Sequence, residues 1–201
     1  QPVLVYTLPD LSVVAAQIVQ WQIAVSIAAI MLGLNPFDEP DTIAMEAYIQ
    51  RQLEHRVAPR MSSGMPGEHA SHQLQRRLQE ARWTALVPYF SLDQHSTAQI
   101  GALRHLLLTR FHLPSVVVEP YRQPYATQLL HAGRSDGLIV AFTAADPEDV
   151  AVPGMPWSLH DLCRTRAAAD EYAWQRMQRQ VIVYNCGADP GSAIQRLYEM
   201  F

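Results

Sequence analysis

The sequence contains no lysine, and all 15 of its basic residues are arginine. This absence excludes a lysine Schiff base and every other mechanism that needs a lysine ammonium from this chain. A genome rich in G and C, which encodes arginine in place of lysine, accounts for the bias itself. The formal net charge of -4 argues against a general nucleic-acid binder, because such proteins need a basic face.

Cysteine is scarce, with Cys163 and Cys186 as its two occurrences. Two cysteines without a CxxC pair cannot form a disulfide framework, so we expect core thiols, a reducing compartment and a cytoplasmic location. Neither a GxGxxG nor a P-loop motif is present, and we predict no cofactor. His69 and His72 could bind a metal ion, but no third ligand accompanies them, and we predict no metal site.

No charged residue lies between Asp10 and Asp38. Within this run, residues 11–32 predict one long apolar helix, with Asp10 as its N-cap and Gly33 at its C-terminal end. Its length suits a membrane span, but it contains three glutamines and has no basic cluster at either end. Its many alanines favour close packing in a protein core. We therefore expect this helix to be buried beneath a sheet, with no membrane contact.

The rest of the chain divides by composition into three parts. Pro40 begins a second helix that we predict to reach Val57, which gives a helical segment over residues 1–57. Residues 58–71 are rich in glycine, proline and serine and predict a flexible linker. Residues 72–201 alternate short apolar strands with helices, a pattern typical of a parallel sheet covered on both faces.

The predicted fold is therefore α/β, a three-layer sandwich with a mostly parallel sheet of about four or five strands, preceded by a helical pair. With 201 residues and an apolar fraction of 49%, the chain is long enough to bury a core. We predict strands at 84–90, 115–119, 138–143 and 181–184, and helices at 72–82, 96–111, 158–168, 170–179 and from Asp189 onward.

Four stretches resemble glucose-6-phosphate isomerases. Residues 21–24 (WQIA) and 32–41 (LGLNPFDEPD) resemble the segment in which a glutamate-bearing helix of that family ends in LGINPFDQP. Residues 128–138 (QLLHAGRSDGL) resemble QLHKGGPNTGL, and residues 149–159 (DVAVPGMPWSL) resemble DLPIPGxPYTF. Residues 164–170, followed by residues 181–183, resemble the closing helix, its GD and the final strand. Their order is similar to that in the isomerase half of transaldolase/glucose-6-phosphate isomerase fusions.

The resemblance implies a sugar-isomerase (SIS) type of sandwich that corresponds to the C-terminal half of such an enzyme. It also implies a preceding SIS domain that supplies the Ser/Thr loop for a sugar phosphate. The partners that it predicts are an SIS or transaldolase domain, or a second copy of the chain, with a sugar phosphate as ligand.

The same resemblance places the family's reactive groups on residues of different chemistry. The family's glutamate falls on Gln22, its FDQP glutamine on Glu39, its lysine on Glu46 and its histidine on Pro124. Aldose–ketose isomerisation needs general acid–base groups, each worth about 10²–10⁴-fold, and a cation to stabilise the enediolate. We therefore predict a catalytically degenerate domain with an architectural or sugar-phosphate-binding role. The alternative is a working half whose phosphate loop lies upstream or on another chain.

A turn before the third predicted strand supplies the remaining candidates. His131 could contact a ligand, or it could be a hydrogen-bonded loop histidine. Gly133, Arg134 and Ser135 could form a backbone nest for an anion, and a plain turn is the other interpretation. Glu39 and Glu46 could also form a new carboxylate pair, since seven residues span about 10 Å of helix, but solvated or inter-domain charges fit the pattern better.

Overall fold

The computed structural model describes residues 5, 7, 9–35, 40–55, 68–120, 122, 127, 130, 135–145 and 149–201. The chain divides into two compact units, Gln1–Pro40 and Asp41–Phe201. The predicted division into residues 1–57, 58–71 and 72–201 stays a prediction, since residues 56–67 lie outside the described part.

The first unit contains one helix, α1 (Ser12–Met31). Its N-cap is Leu11, one residue later than predicted, while Asp10 accepts a hydrogen bond from the Ser12 amide at 2.8 Å. At its other end Gly33 has φ +68°, a left-handed conformation that glycine adopts without a Cβ penalty. The predicted C-terminal end of the helix is therefore confirmed.

The expectation that residues 11–32 are buried is wrong. Of the 20 residues of α1, all of which the structure describes, only Ala29 is buried. Trp21, Ile23 and Ile30 are 53%, 56% and 74% exposed. Apolar side chains lie on every side of α1, so contact along one face cannot cover it. With a mean hydropathy of 1.8, α1 is also long and apolar enough, by length and composition, to cross a membrane.

The second unit is built from four strands and five helices in the described residues. In chain order these are α2 (Pro40–Glu54), α3 (Glu68–Glu80), β1 (Trp83–Pro88), α4 (Gln94–Phe111), β2 (Ser115–Val117), β3 (Gly137–Thr143), α5 (Leu159–Arg176), β4 (Gln180–Asn185) and α6 (Pro190–Glu199). The strands form one parallel sheet in the order β2-β1-β3-β4. This confirms the predicted α/β class and the parallel sheet.

Alternate residues of the strands face opposite layers of helices, as the two-residue period of a strand requires. Leu86 and Val140 belong to a core cluster that α3, α4 and α6 complete, through residues such as Leu78, Leu107 and Ile194. Their strand neighbours Ala85, Val87, Ile139 and Ala141 pack against α5, which contributes Ala167 and Trp174. The sheet is therefore the middle layer of a three-layer sandwich.

Two predicted helices, 158–168 and 170–179, form the single helix α5. No glycine or proline interrupts the sequence between Ser158 and Arg176, so nothing ends the helix near residue 169. Ser158 caps α5 in a capping box with Asp161, and Asp189 caps α6 by accepting from the Ser192 amide. Both predicted helix starts are confirmed.

Candidate functional site

A cavity of about 610 Å³ lies within the second unit, between α2 and α5. The segment after β2 and the segment before α5 complete its walls. The lining residues are Glu46, Ile49, Gln50, Leu53, Glu54, Pro120, Met155, Pro156, Trp157, Leu162 and Arg166. The volume is within the range of small-molecule sites, which is roughly 300–1,000 Å³.

Helical spacing puts the α2 side of the cavity on one face. Residues three or four apart share a face, so Glu46, Gln50 and Leu53 line the same wall. Tyr48 stacks on Tyr172 of α5, with ring centroids 6.0 Å apart and an interplanar angle of 5°. The stack is one contact between α2 and α5.

The charges of the cavity are divided between its two helices. Glu46 and Glu54 are exposed on α2, and Glu54 accepts a hydrogen bond from the Gln50 side-chain amide at 2.9 Å. Arg166 lies on α5 with its side chain 20% exposed. Water screens an exposed charge more than a partly buried one. The two glutamates are therefore screened more than Arg166.

A buried polar cluster connects Arg166 to the sheet. Tyr89, directly after β1, donates its hydroxyl proton to Asp170 Oδ2 at 2.6 Å. Arg166 Nε is 4.0 Å from the same oxygen. Burial raises the pKa of the Asp170 carboxyl to about 6, against the opposing effects of the Tyr89 hydrogen bond and the Arg166 charge. Asp170 is fully buried, so it does not line the cavity itself, but its neighbour Arg166 does.

Of the residues that the sequence singled out, Glu46 lies in the cavity. Gln22 is exposed on α1 in the other unit, and Ser135 is exposed in the turn before β3. Glu39, Pro124, His131, Gly133 and Arg134 lie outside the described residues. Their predicted roles therefore stay predictions.

The metal and thiol predictions concern other parts of the chain. No group of three metal-binding side chains occurs among the residues that the structure describes. Cys186 is buried in the core as predicted, and burial raises the pKa of its thiol to about 12. Cys163 is half-buried on α5.

Arg166, Asp170 and Tyr89 are the functional candidates that sequence reasoning missed. Tyr89 carries a usable signal, because it follows β1 at the carboxyl edge of a parallel sheet, where ligands of open α/β sheets bind. Asp170 carries another, since it follows three buried alanines in α5. Trp157 also lines the cavity.

Comparisons with known proteins add little to the geometry. No protein-family model and no curated protein matches the chain. A solved structure from Listeria monocytogenes, provisionally described as a sugar-phosphate isomerase, is similar with a TM-score of 0.38 and 14% sequence identity. The match covers 82% of this chain and 73% of that protein. A TM-score this low assigns no function. The parallel sheet with a helical layer on each face defines the fold as an α/β three-layer sandwich.

Proposed function

We propose that this chain is a sugar-isomerase-type domain that has lost isomerase chemistry and is kept for an architectural role. The colinear sequence stretches and the three-layer parallel sandwich support the ancestry. The position of Glu46 is the main observation behind the proposed loss of isomerase activity. It is an exposed carboxylate in the wall of the cavity, at the position where the resemblance expects a lysine.

The electrostatics of the cavity support the same conclusion. A carboxylate in place of an ammonium turns attraction for a sugar phosphate into repulsion, and each pair of unit charges at 4 Å is worth about 1–4 kcal/mol near a protein surface. Glu54 adds a second negative charge on the same wall. The alternative, a working half that receives missing groups from another chain, has Arg166 as its supporting cation.

The chain is expected to show no glucose-6-phosphate isomerase activity, with or without the substitution Glu46→Lys. One restored cation supplies no proton-transfer group, and the family's acid–base positions fall on Gln22 and Pro124. The measurement is a coupled assay of glucose 6-phosphate and fructose 6-phosphate interconversion with the purified chain. An active glucose-6-phosphate isomerase is the positive control, and Glu54→Lys is the matched variant. Turnover above about 1 s⁻¹, at the low end of ordinary enzymes, or a gain specific to Glu46→Lys, contradicts the proposal.

The architectural role needs a surface, and α1 supplies one. Contiguous exposed apolar surface of this kind is uncommon on monomers and marks interaction sites. The run from residue 11 to residue 35 carries no charge, so two copies can bury it against each other without burying an unpaired charge. We therefore propose a second copy of the chain as the partner of α1, in a symmetric dimer.

Self-association through α1 is expected to appear as a dimer in a sedimentation series over micromolar concentrations. The substitution Ile23→Glu should shift the equilibrium to monomer, because it would bury an unpaired carboxylate. Leu108→Glu, on α4 and 55% exposed, is the matched control and should leave the dimer intact. A wild-type monomer at high micromolar concentration, or solubility that depends on detergent, would rule out this partner.

A further inference from the structure

The cavity between α2 and α5 has mostly apolar walls. Seven of its lining residues are apolar, from Ile49 and Leu53 on one side to Trp157 and Leu162 on the other. Sugar hydroxyls placed against such walls would lose hydrogen bonds to water, which is unfavourable. A ligand whose body is apolar fits better, because burying apolar surface is favourable. The walls therefore select the body of a ligand, and the charged residues decide which group it carries.

The charge that the cavity offers to a ligand is negative. Arg166 is paired with the buried Asp170, whose Oδ2 atom lies 4.0 Å from Arg166 Nε, so its positive charge is balanced within the protein. Glu46 and Glu54 remain on the α2 wall, where both are exposed. Neither glutamate forms an ion pair with another residue that the structure describes. An anionic ligand meets repulsion here, and a cationic ligand meets attraction.

Glu46 is the better placed of the two carboxylates. Glu54 already accepts a hydrogen bond from the Gln50 side-chain amide at 2.9 Å, whereas Glu46 makes no hydrogen bond to another described residue. Because Glu46 is exposed, a cation beside it keeps part of its hydration while the attached apolar body enters the cavity. Trp157 adds an indole to the same lining, and the face of an indole attracts cations.

We propose that this cavity is a binding site for apolar amines, with an alkyl or aryl body between α2 and α5 and the ammonium group on Glu46. An alkylamine is protonated at pH 7, as the lysine side chain is. The site is independent of the proposed isomerase ancestry. It takes a different class of ligand, and it uses residues of this chain alone.

Calorimetric titration of the full chain at pH 7 with four probes tests the site. Octylamine, octanol and octanoate share one apolar body and differ in charge, and glucose 6-phosphate represents the ligand that the resemblance implies. Octylamine is expected to bind about fivefold more tightly than octanol, the upper range for a solvent-accessible ion pair. Octanoate should bind more weakly than octanol, and about 0.5 M salt should reduce both differences. Tighter binding of octanoate or glucose 6-phosphate than of octylamine, or no binding of octylamine, overturns the proposal.

Variants separate Glu46 from general hydrophobic binding. Glu46→Gln changes an exposed side chain, so it should fold, and it should reduce the preference for octylamine over octanol to less than about twofold. Glu46→Lys should go further and make octanoate bind more tightly than octylamine, because it reverses the charge. Glu80→Gln is the matched control, since Glu80 is exposed on α3 in the opposite helical layer, and it should keep the fivefold preference.

The binding site of the amine is decided by the same comparison. A fivefold preference for octylamine that survives both Glu46 variants, or one that Glu80→Gln removes, would show that the amine binds elsewhere and would overturn the proposal. Ile49→Asn tests the apolar wall, because Ile49 is half-buried and lines the cavity. It should weaken octylamine and octanol by the same factor, and unchanged affinities for both would place their apolar bodies outside the cavity.

Discussion

Replacing Trp174 by alanine is expected to lower the free energy of unfolding by about 3–5 kcal/mol. Trp174 is fully buried in α5 and packs in a cluster with Ala85, Val87 and Ile139 of the sheet. Removing the indole takes away its buried apolar surface and leaves a cavity that the small neighbours cannot fill. The loss is a large part of the roughly 5–15 kcal/mol that stabilises an ordinary domain. Urea denaturation at equilibrium measures it.

Leu108→Ala is the matched control for this substitution. Leu108 lies on α4 and is 55% exposed, so its removal should change the free energy of unfolding by no more than about 0.5 kcal/mol. Trp21, which is 53% exposed on α1, is not used as the control, because the proposed dimer buries α1. A cost below about 1 kcal/mol for Trp174→Ala would contradict the packing of α5 on the sheet.

The sheet could be predicted from the sequence because its strands are short and apolar on both sides. In β3, six of the seven residues are buried, which is the signature of a strand covered by two helical layers. The helices between the strands then require parallel connections. Strand limits differ from the prediction by one or two residues, since side-chain pattern does not fix the last hydrogen bond.

The environment of α1 could not be predicted in the same way. Composition shows that a helix is apolar, but it does not show what covers the helix. A stripe of apolar residues would have identified a single packing face, whereas α1 has apolar side chains on all sides. The expected burial beneath the sheet therefore failed, although both helix ends were predicted to within a residue.

The candidate site was only partly visible in the sequence for a related reason. Glu46 stood out because the resemblance puts a lysine at its position. Arg166 and Asp170 are about 120 residues from Glu46 in sequence, and α5, which carries them, contacts α2 through the stacking of Tyr48 on Tyr172. Such a contact depends on tertiary structure, so no local sequence pattern predicts it.

Asp170→Asn is expected to remove a pH dependence of stability that the wild-type chain shows between about pH 4 and pH 6. Burial raises the pKa of Asp170 from 3.8 to about 6, so in this range the folded state holds a proton that the unfolded state has released. Stability therefore falls as pH rises, until the folded carboxyl is also ionised. The rise of this pKa from 3.8 to about 6 corresponds to about 3 kcal/mol in total.

The measurement compares urea denaturation of the wild-type chain and Asp170→Asn at several values from pH 4 to pH 8. Taking the difference between the two proteins cancels the contribution of every other group. Asparagine keeps an oxygen that can accept the Tyr89 hydroxyl, so the variant should fold. The free energy of unfolding of wild type, minus that of Asp170→Asn, should fall by about 3 kcal/mol from pH 4 to pH 6. It should stay constant above pH 7.

Asp189→Asn is the control with the opposite shift. Hydrogen bonds from the Ser192 hydroxyl and amide lower the pKa of Asp189, so this carboxylate stabilises the fold above its unfolded pKa, and that contribution is lost as pH falls through its folded pKa. The difference between wild type and Asp189→Asn should therefore stay flat from pH 5 to pH 8 and change only below about pH 4. If wild type and Asp170→Asn show the same slope between pH 4 and pH 6, Asp170 is ionised throughout that range. The effect of burial on the Asp170 carboxyl would then not outweigh the Tyr89 hydrogen bond and the Arg166 charge, both of which favour its ionised form.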